Sequence, residues 1–318
     1  MENPKEATKK YSLKTVQKQV QHSFEEAHFK HPYEDTTIDK VFLFFREKLE
    51  DAKKGKTMFL ASELEDIIEV MPHFEYKGVP LKPHHWLDFD IFEGLIPTTP
   101  EFITYTDIIN TWNLLIEQKT KIDEMHNKAS NSRGFAELDS TFALRSTLTT
   151  LKKNCMVSAI TFAESYLYYL FYDFKQMRLF EDNPKVKALY GKEDKDHIQD
   201  TEIIKNLIFE VFPKIKIDKR INKFYKEYIK MNNTRNGIIH TSVSKNDNNK
   251  LSKLQPTINI SIPLVQDCLG TITNFIFSID EGMPLEHRIL FWRDRFEDPD
   301  FTKCEKIIFV NQNKGELS

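Results

Sequence analysis

Glycine is scarce: 9 among 318 residues. So few glycines disfavour Gly-rich β architectures and point towards helices. The chain has 3 cysteines, Cys155, Cys268 and Cys304, with no CxxC pair. Their spacing argues against a disulfide framework and a zinc site, and fits a reducing compartment. Charge of one sign is also missing. Lys and Arg number 45 against 48 Asp and Glu, a formal net charge of -3. No global attraction to a polyanion follows, so any nucleic-acid footprint must be local. "MENPKEATKK" at the start has no apolar core of a signal peptide. The run "SYLYYLFYDF" is far shorter than the ~20 residues of a spanning helix. These absences lead us to expect a cytoplasmic protein with no membrane partner.

The composition is 40% hydrophobic and 12% aromatic, enough for substantial cores. The length suits two domains or one large one. Residues 36 to 53 read as an amphipathic helix opened by Thr36 and Asp39, and "SELEDIIEVM" from Ser62 repeats the signal. The proline-rich stretch from Phe74 to Pro100 reads as an ordered connection or a small irregular subdomain. A helix is expected from Thr106 to Lys128, and "ASNSRG" then breaks it as the best domain boundary.

From Ser140 to Phe174 one helical pattern runs without Gly or Pro. Phe142, Leu148, Leu151, Cys155, Ile160, Phe162, Leu167 and Leu170 form its apolar face. Further helices are expected over 200 to 212, from Asp218 onward, and from Pro263 to Ile279. "TINISI" and "KCEKIIFV" read as short strands, and "PLEHRILFWRDRF" as an amphipathic helix. The expected class is therefore mostly α. It comprises an N-terminal helical domain over 1–130, a helical bundle over 139–282 with a short strand or hairpin near the C-terminus, and an extension over 283–318.

Several familiar patterns fail. "GKT" at 55 to 57 resembles the end of a phosphate-binding loop, but Glu50 stands where its first glycine belongs. His84 and His85 are adjacent rather than four apart on a helix, so a solvated or packed loop is the better reading than a metal site. "EQK" at 117 to 119 reads as a solvated helix face. Phe42, Phe44, Phe45, Trp86 and Trp112 read as core rather than base-stacking platforms. No cofactor is implied.

The informative stretch is "NNTRNGIIHTS", residues 232 to 242. Ile217, Ile221, Phe224, Tyr228 and Met231 recur at helical spacing as one buried stripe. Continuing it reaches Arg235, which therefore emerges from the core-facing side. A neighbouring face carries Lys216, Lys219, Arg220, Lys223, Lys226 and Lys230. From Lys214 to Arg235 there are 8 basic residues against Asp218 and Glu227. This is either a local phosphate footprint or a solvated lysine face. Arg235 and His240 lie about 140° apart on an ideal helix. Gly237 and the two isoleucines after it suggest that the helix loosens, and a loosened end or a second subunit would let both side chains reach one phosphate.

"RNGIIH" resembles the R-x4-H motif of the HEPN superfamily, including the polar residue after the arginine, Asn236. The upstream "AITFAESYLYYLF" is similar to the long first helix of HEPN domains, with Glu164 at the acidic position facing the site. The resemblance covers residues 140 to 282. It implies a helical domain that forms a homodimer and joins two motifs in one cleft. It also implies a metal-independent endoribonuclease, of the kind found in bacterial toxins and antiviral effectors. RNA would be the partner, with an inhibitor or sensor protein alongside. On that resemblance His240 is the acid–base group and Arg235 the phosphate binder. Asn236 holds one of them or the substrate. Glu164 orients either one, or forms an ordinary ion pair with Arg235. A subgroup paired with nucleotidyltransferase antitoxins has a tyrosine two positions after the histidine. This chain has Ser242 there, so that form of regulation is not implied. A non-catalytic RNA- or nucleotide-binding module, and a purely structural dimerisation protein, remain as alternatives.

Overall fold

The computed structural model describes residues 58–60, 75–76, 79–80, 82–90, 94–131, 138–192, 198–239, 260–293 and 297–308. The expectations for helices at 9–29, 36–53 and from Ser62, and for a strand over 257–259, lie outside the described residues. The described part is mostly helical.

The chain divides into two compact units, Met1–Pro100 with Tyr169–Leu179, and Glu101–Tyr168 with Phe180–Ser318. The first unit contains the strands. β1 (Met58–Leu60), β4 (Trp86–Asp90) and β5 (Gly94–Thr98) form an antiparallel sheet in the order β1-β4-β5. Asp90 pairs with Gly94 at the hairpin end, and Trp86 with Thr98. β2 (Glu75–Tyr76) and β3 (Val79–Pro80) form a second small hairpin. The strands thus occupy the proline-rich connection and not the C-terminal region. His84 and His85 are fully buried there. The Asp173 carboxylate lies 2.7 Å from His84 Nδ1 and accepts its backbone N–H at 3.0 Å. Burial and the neighbouring His84 hold the His85 imidazole well below the usual range. The packed-loop reading of the pair is the one realised.

The second unit is helical. α1 spans Pro100–Asn131 and α2 Leu138–Gln176, the latter crossing into the first unit at its end. α3 (Pro184–Tyr190) is capped by Asn183, whose side chain accepts two backbone N–H groups. α4 starts as Asp200–Ile203, widens into a π segment over Ile204–Ile208 and closes over Phe209–Val211. α5 (Pro213–Ile217) begins at a proline, where the missing N–H costs nothing. Asp218 then caps α6, Lys219–Ile239, accepting from Arg220 and Ile221 N–H. α7 (Ile262–Gly282) opens on Pro263 after the Ser261 cap.

The core lies where α6 packs on α7. Phe275 stacks on Tyr228 at 5.4 Å, and Tyr105 and Phe162 meet Phe277. α7 is long and apolar enough to cross a membrane by length and composition. Val265, Cys268, Leu269, Ile272, Phe275, Ile276 and Ile279 of that helix are nevertheless buried inside this unit. Burial pushes the thiols of Cys155 and Cys268 up to about 12, so both are inert apolar filling.

Three expectations need correction. Ile217 is 76% exposed and Phe142 likewise. The Asp218 cap breaks the register between Ile217 and α6, and Tyr225 is buried while Phe224 is half-buried. "PLEHRILFWRDRF" forms only a 3-10 turn at Leu285–His287 among its described residues. Its backbone is drawn off by tertiary partners, since Ile289 N–H donates to Asp280 and Arg288 donates to the carbonyls of Met283 and Glu281. Residues 303–308 form no strand. Asn113 brackets Ile307 through both its N–H and its carbonyl, and Trp112 donates to Glu305, so α1 side chains take the bonds that a strand partner would.

Candidate functional site

The motif sits at the C-terminal end of α6. Arg235 is three positions beyond Asn232 and four beyond Met231, so it inherits the inward side of the helix. Its guanidinium side chain is 16% exposed and forms an ion pair with Glu164 of α2. Arg235 Nη1 also donates to Asn236 Oδ1 at 3.0 Å. Among the described residues Arg235 Nε is buried without a partner. The structure therefore brings Arg235, Asn236 and Glu164 together, although Glu164 is 71 positions away in sequence. His240 lies outside the described residues. α6 remains helical through Ile239, so the expected loosening at Gly237 does not occur. Gly237 costs helix propensity, but a helix with three buried turns before it carries the last one.

These residues line one cavity of about 580 Å³. Its other described walls are Tyr168, Gln199, Asp200, Thr201, Ile229, Asn232 and Asn233. Asp200 opens α4 and accepts the Tyr228 hydroxyl, the Asn232 side-chain N–H at 3.0 Å and the Thr201 backbone N–H at 2.9 Å. Burial and the Asp200 charge keep the Tyr228 phenol protonated, far above its usual range. Tyr168 donates its hydroxyl to the Ile198 carbonyl, and burial raises its titration too. Gln199 and Glu202 close a reciprocal capping box that fixes the start of α4.

The basic residues stand apart from this cavity. Lys216 on α5, and Lys219, Arg220, Lys223, Lys226 and Lys230 on α6, are all exposed. Lys230 lies 3.5 Å from Glu227, and the Arg220 guanidinium sits 5.5 Å over the Phe224 ring. They form one solvated positive face on the helix that ends at Arg235.

Sequence reasoning missed Asp200, Asn232 and Tyr168. Asp200 carried a signal, since it follows Gln199 two positions before Glu202 at a helix start. Its link to α6 spans 28 and 32 positions and has no periodicity to betray it. Asn232 lay inside the quoted stretch, where its neighbours drew the attention.

No family model matches the chain, and no curated protein or solved structure gives a match.

Proposed function

We propose that the chain is a HEPN-type, metal-independent endoribonuclease acting as a homodimer, in bacterial antiviral defence or growth arrest. The observation that carries the reading is the Arg235 cluster. A mostly buried arginine, flanked by Asn236 and held by Glu164, ends a basic helix and lines a polar cavity. An arginine in such a place is costly unless its charge serves a partner.

The reaction is transesterification at one phosphate. The 2′-oxygen of RNA bonds to phosphorus while the P–O5′ bond breaks. The proton leaves the 2′-oxygen and another arrives on the departing 5′-oxygen. His240 supplies this proton traffic, one copy as base and the partner's copy as acid. Arg235 neutralises the charge that develops on the phosphoryl oxygens. Asn236 and Glu164 keep the guanidinium in place. The continuity of α6 through Ile239 favours the dimer, because one unbroken helix directs positions 235 and 240 to different sides. The requirement for a 2′-hydroxyl selects RNA over DNA.

One observation favours a second reading. The Glu164 pair alone satisfies part of the Arg235 charge, which is what a purely structural ion pair would do. Incubating the purified protein with RNA in EDTA separates the two. The nuclease yields 2′,3′-cyclic phosphate and 5′-hydroxyl ends. Intact RNA under those conditions refutes the nuclease.

A further inference from the structure

The cavity is larger than a phosphate needs, and its two ends differ chemically. Arg235 and Asn236 occupy one side, and Gln199, Asp200 and Thr201 come from the start of α4. Around Asp200 the protein's own donors are consumed. Tyr228 O–H and Asn232 N–H both go to the Asp200 carboxylate. Tyr168 O–H goes to the Ile198 carbonyl. A carboxylate only accepts, so the Asn232 amide must turn its nitrogen towards Asp200. That fixes its oxygen on the other side, and Asn232 Oδ1 is buried there without a partner among the described residues. Such an unmet acceptor costs stability until a donor reaches it, directly or after a small side-chain rotation. This end of the cavity is thus rich in acceptors, beside the half-buried aromatic ring of Tyr168.

We infer that the Asp200 end of the cavity is a nucleobase subsite, selective for bases that carry an exocyclic amino group. It deepens the ribonuclease reading and rests on it. The phosphate is held at Arg235, and the attached base lies against Tyr168 with its amino group towards Asp200 and Asn232. Aromatic rings serve any base as a stacking surface, so Tyr168 supplies affinity without choice. The choice comes from the acceptors. Guanine and cytosine bring N–H donors to them. Uracil and hypoxanthine place a carbonyl or a bare carbon–hydrogen where the amino group would be, leaving the carboxylate side unpaired or repelled. Sites built to pair a polar group reject analogues lacking it strongly.

The test uses the full-length protein and four 3′-monophosphates, in two pairs that isolate the amino group: guanosine with inosine, and cytidine with uridine. Titration calorimetry should show the amino-bearing member of each pair binding at least about tenfold more tightly. Asp200→Asn releases the Asn232 amide to turn its nitrogen outward, so the ratio should fall to about threefold or less, with the melting temperature retained. If that variant fails to fold, Tyr168→Leu serves instead, weakening all four nucleotides alike and preserving both ratios. Equal affinities within the pairs, no binding of any nucleotide, or an unchanged ratio in Asp200→Asn would overturn the subsite. Selective binding by a protein that leaves RNA intact in EDTA would keep the subsite and overturn only the nuclease.

Discussion

Asp280 and Asp200 present the same chemistry in two places. Each accepts a tyrosine hydroxyl from another helix, Tyr166 for Asp280 and Tyr228 for Asp200. Asp280 is 4% exposed and spends its remaining capacity on the backbone of the C-terminal segment, including Ile289 N–H at 3.1 Å. Asp200 spends its own on Asn232 and the start of α4 while lining the cavity that holds Arg235. A buried carboxylate–tyrosine pair is therefore no signature of function. The open volume beside it, and the unmet atoms facing that volume, separate the two.

The largest expected effect belongs to the cavity end. His240→Ala should lower RNA cleavage by ~100- to 10,000-fold with RNA binding and melting temperature nearly unchanged, since a proton shuttle acts in the transition state. Arg235→Ala should weaken both cleavage and binding, because a guanidinium holds the phosphate before and during reaction. A fully active His240→Ala protein would collapse the contrast, and Arg235 would join Asp280 as structure.

Next comes Phe275, which belongs to both regions. Its ring stacks on Tyr228 and is fully buried. Phe275→Ala should cost ~3–5 kcal/mol of stability, read by denaturant unfolding. An intact protein with unchanged stability would mean that α6 and α7 do not pack as described.

Much of this was legible beforehand, and the failures share a cause. The helices over 138–176, 200–211, 219–239 and 262–282 follow from apolar spacing, proline positions and caps. Ile221, Tyr228 and Met231 are buried as their spacing requires. Arg235 lies inward and near Glu164, as the stripe and the motif suggested. Patterns failed where distant side chains took over the backbone. Asn113 and Trp112 claim the segment that resembled a strand, and Asp280 claims the one that resembled a helix. Phe142 is exposed because its surroundings, Ala143 and Arg145 to Thr147, are exposed with it. Asp200 and Tyr168 could not be found from local pattern at all, since only the tertiary fold brings them to Arg235.

Asp280 gives a smaller effect with a definite sign. Burial, opposed by its hydrogen bonds, lifts its carboxyl from the usual value to about 6. The folded state therefore binds the proton more tightly than the unfolded chain. The stability from the protonated group is fully present below the unfolded value and is lost as pH rises through about 6. The advantage of wild type over Asp280→Asn should shrink between about pH 4.5 and about pH 7.5, by up to ~3 kcal/mol, in melting or denaturant titrations. A difference independent of pH would remove the distinction drawn between this buried pair and its counterpart at the cavity.

The smallest effect on the fold should come from the exposed face of α6, where binding alone changes. Lys219, Lys223 and Lys230 are exposed, and only Lys230 among the three has a carboxylate beside it, Glu227 at 3.5 Å. Replacing all three with glutamine should alter stability by about 0.5 kcal/mol or less per site, as surface substitutions do. RNA affinity should fall, because each lysine that neutralises a phosphate releases a condensed counterion on binding. Each such contact contributes about 0.7 to the slope of log affinity against log salt for single-stranded RNA, so losing three should flatten the slope by ~2. The two measurements have to be made together. A weakened complex with an unchanged slope would mean that the variant had disturbed the cavity through the helix rather than lost phosphate contacts. Unchanged affinity and slope would make this face a solvated one, and the cavity would then have to hold RNA without help from the helix that leads into it.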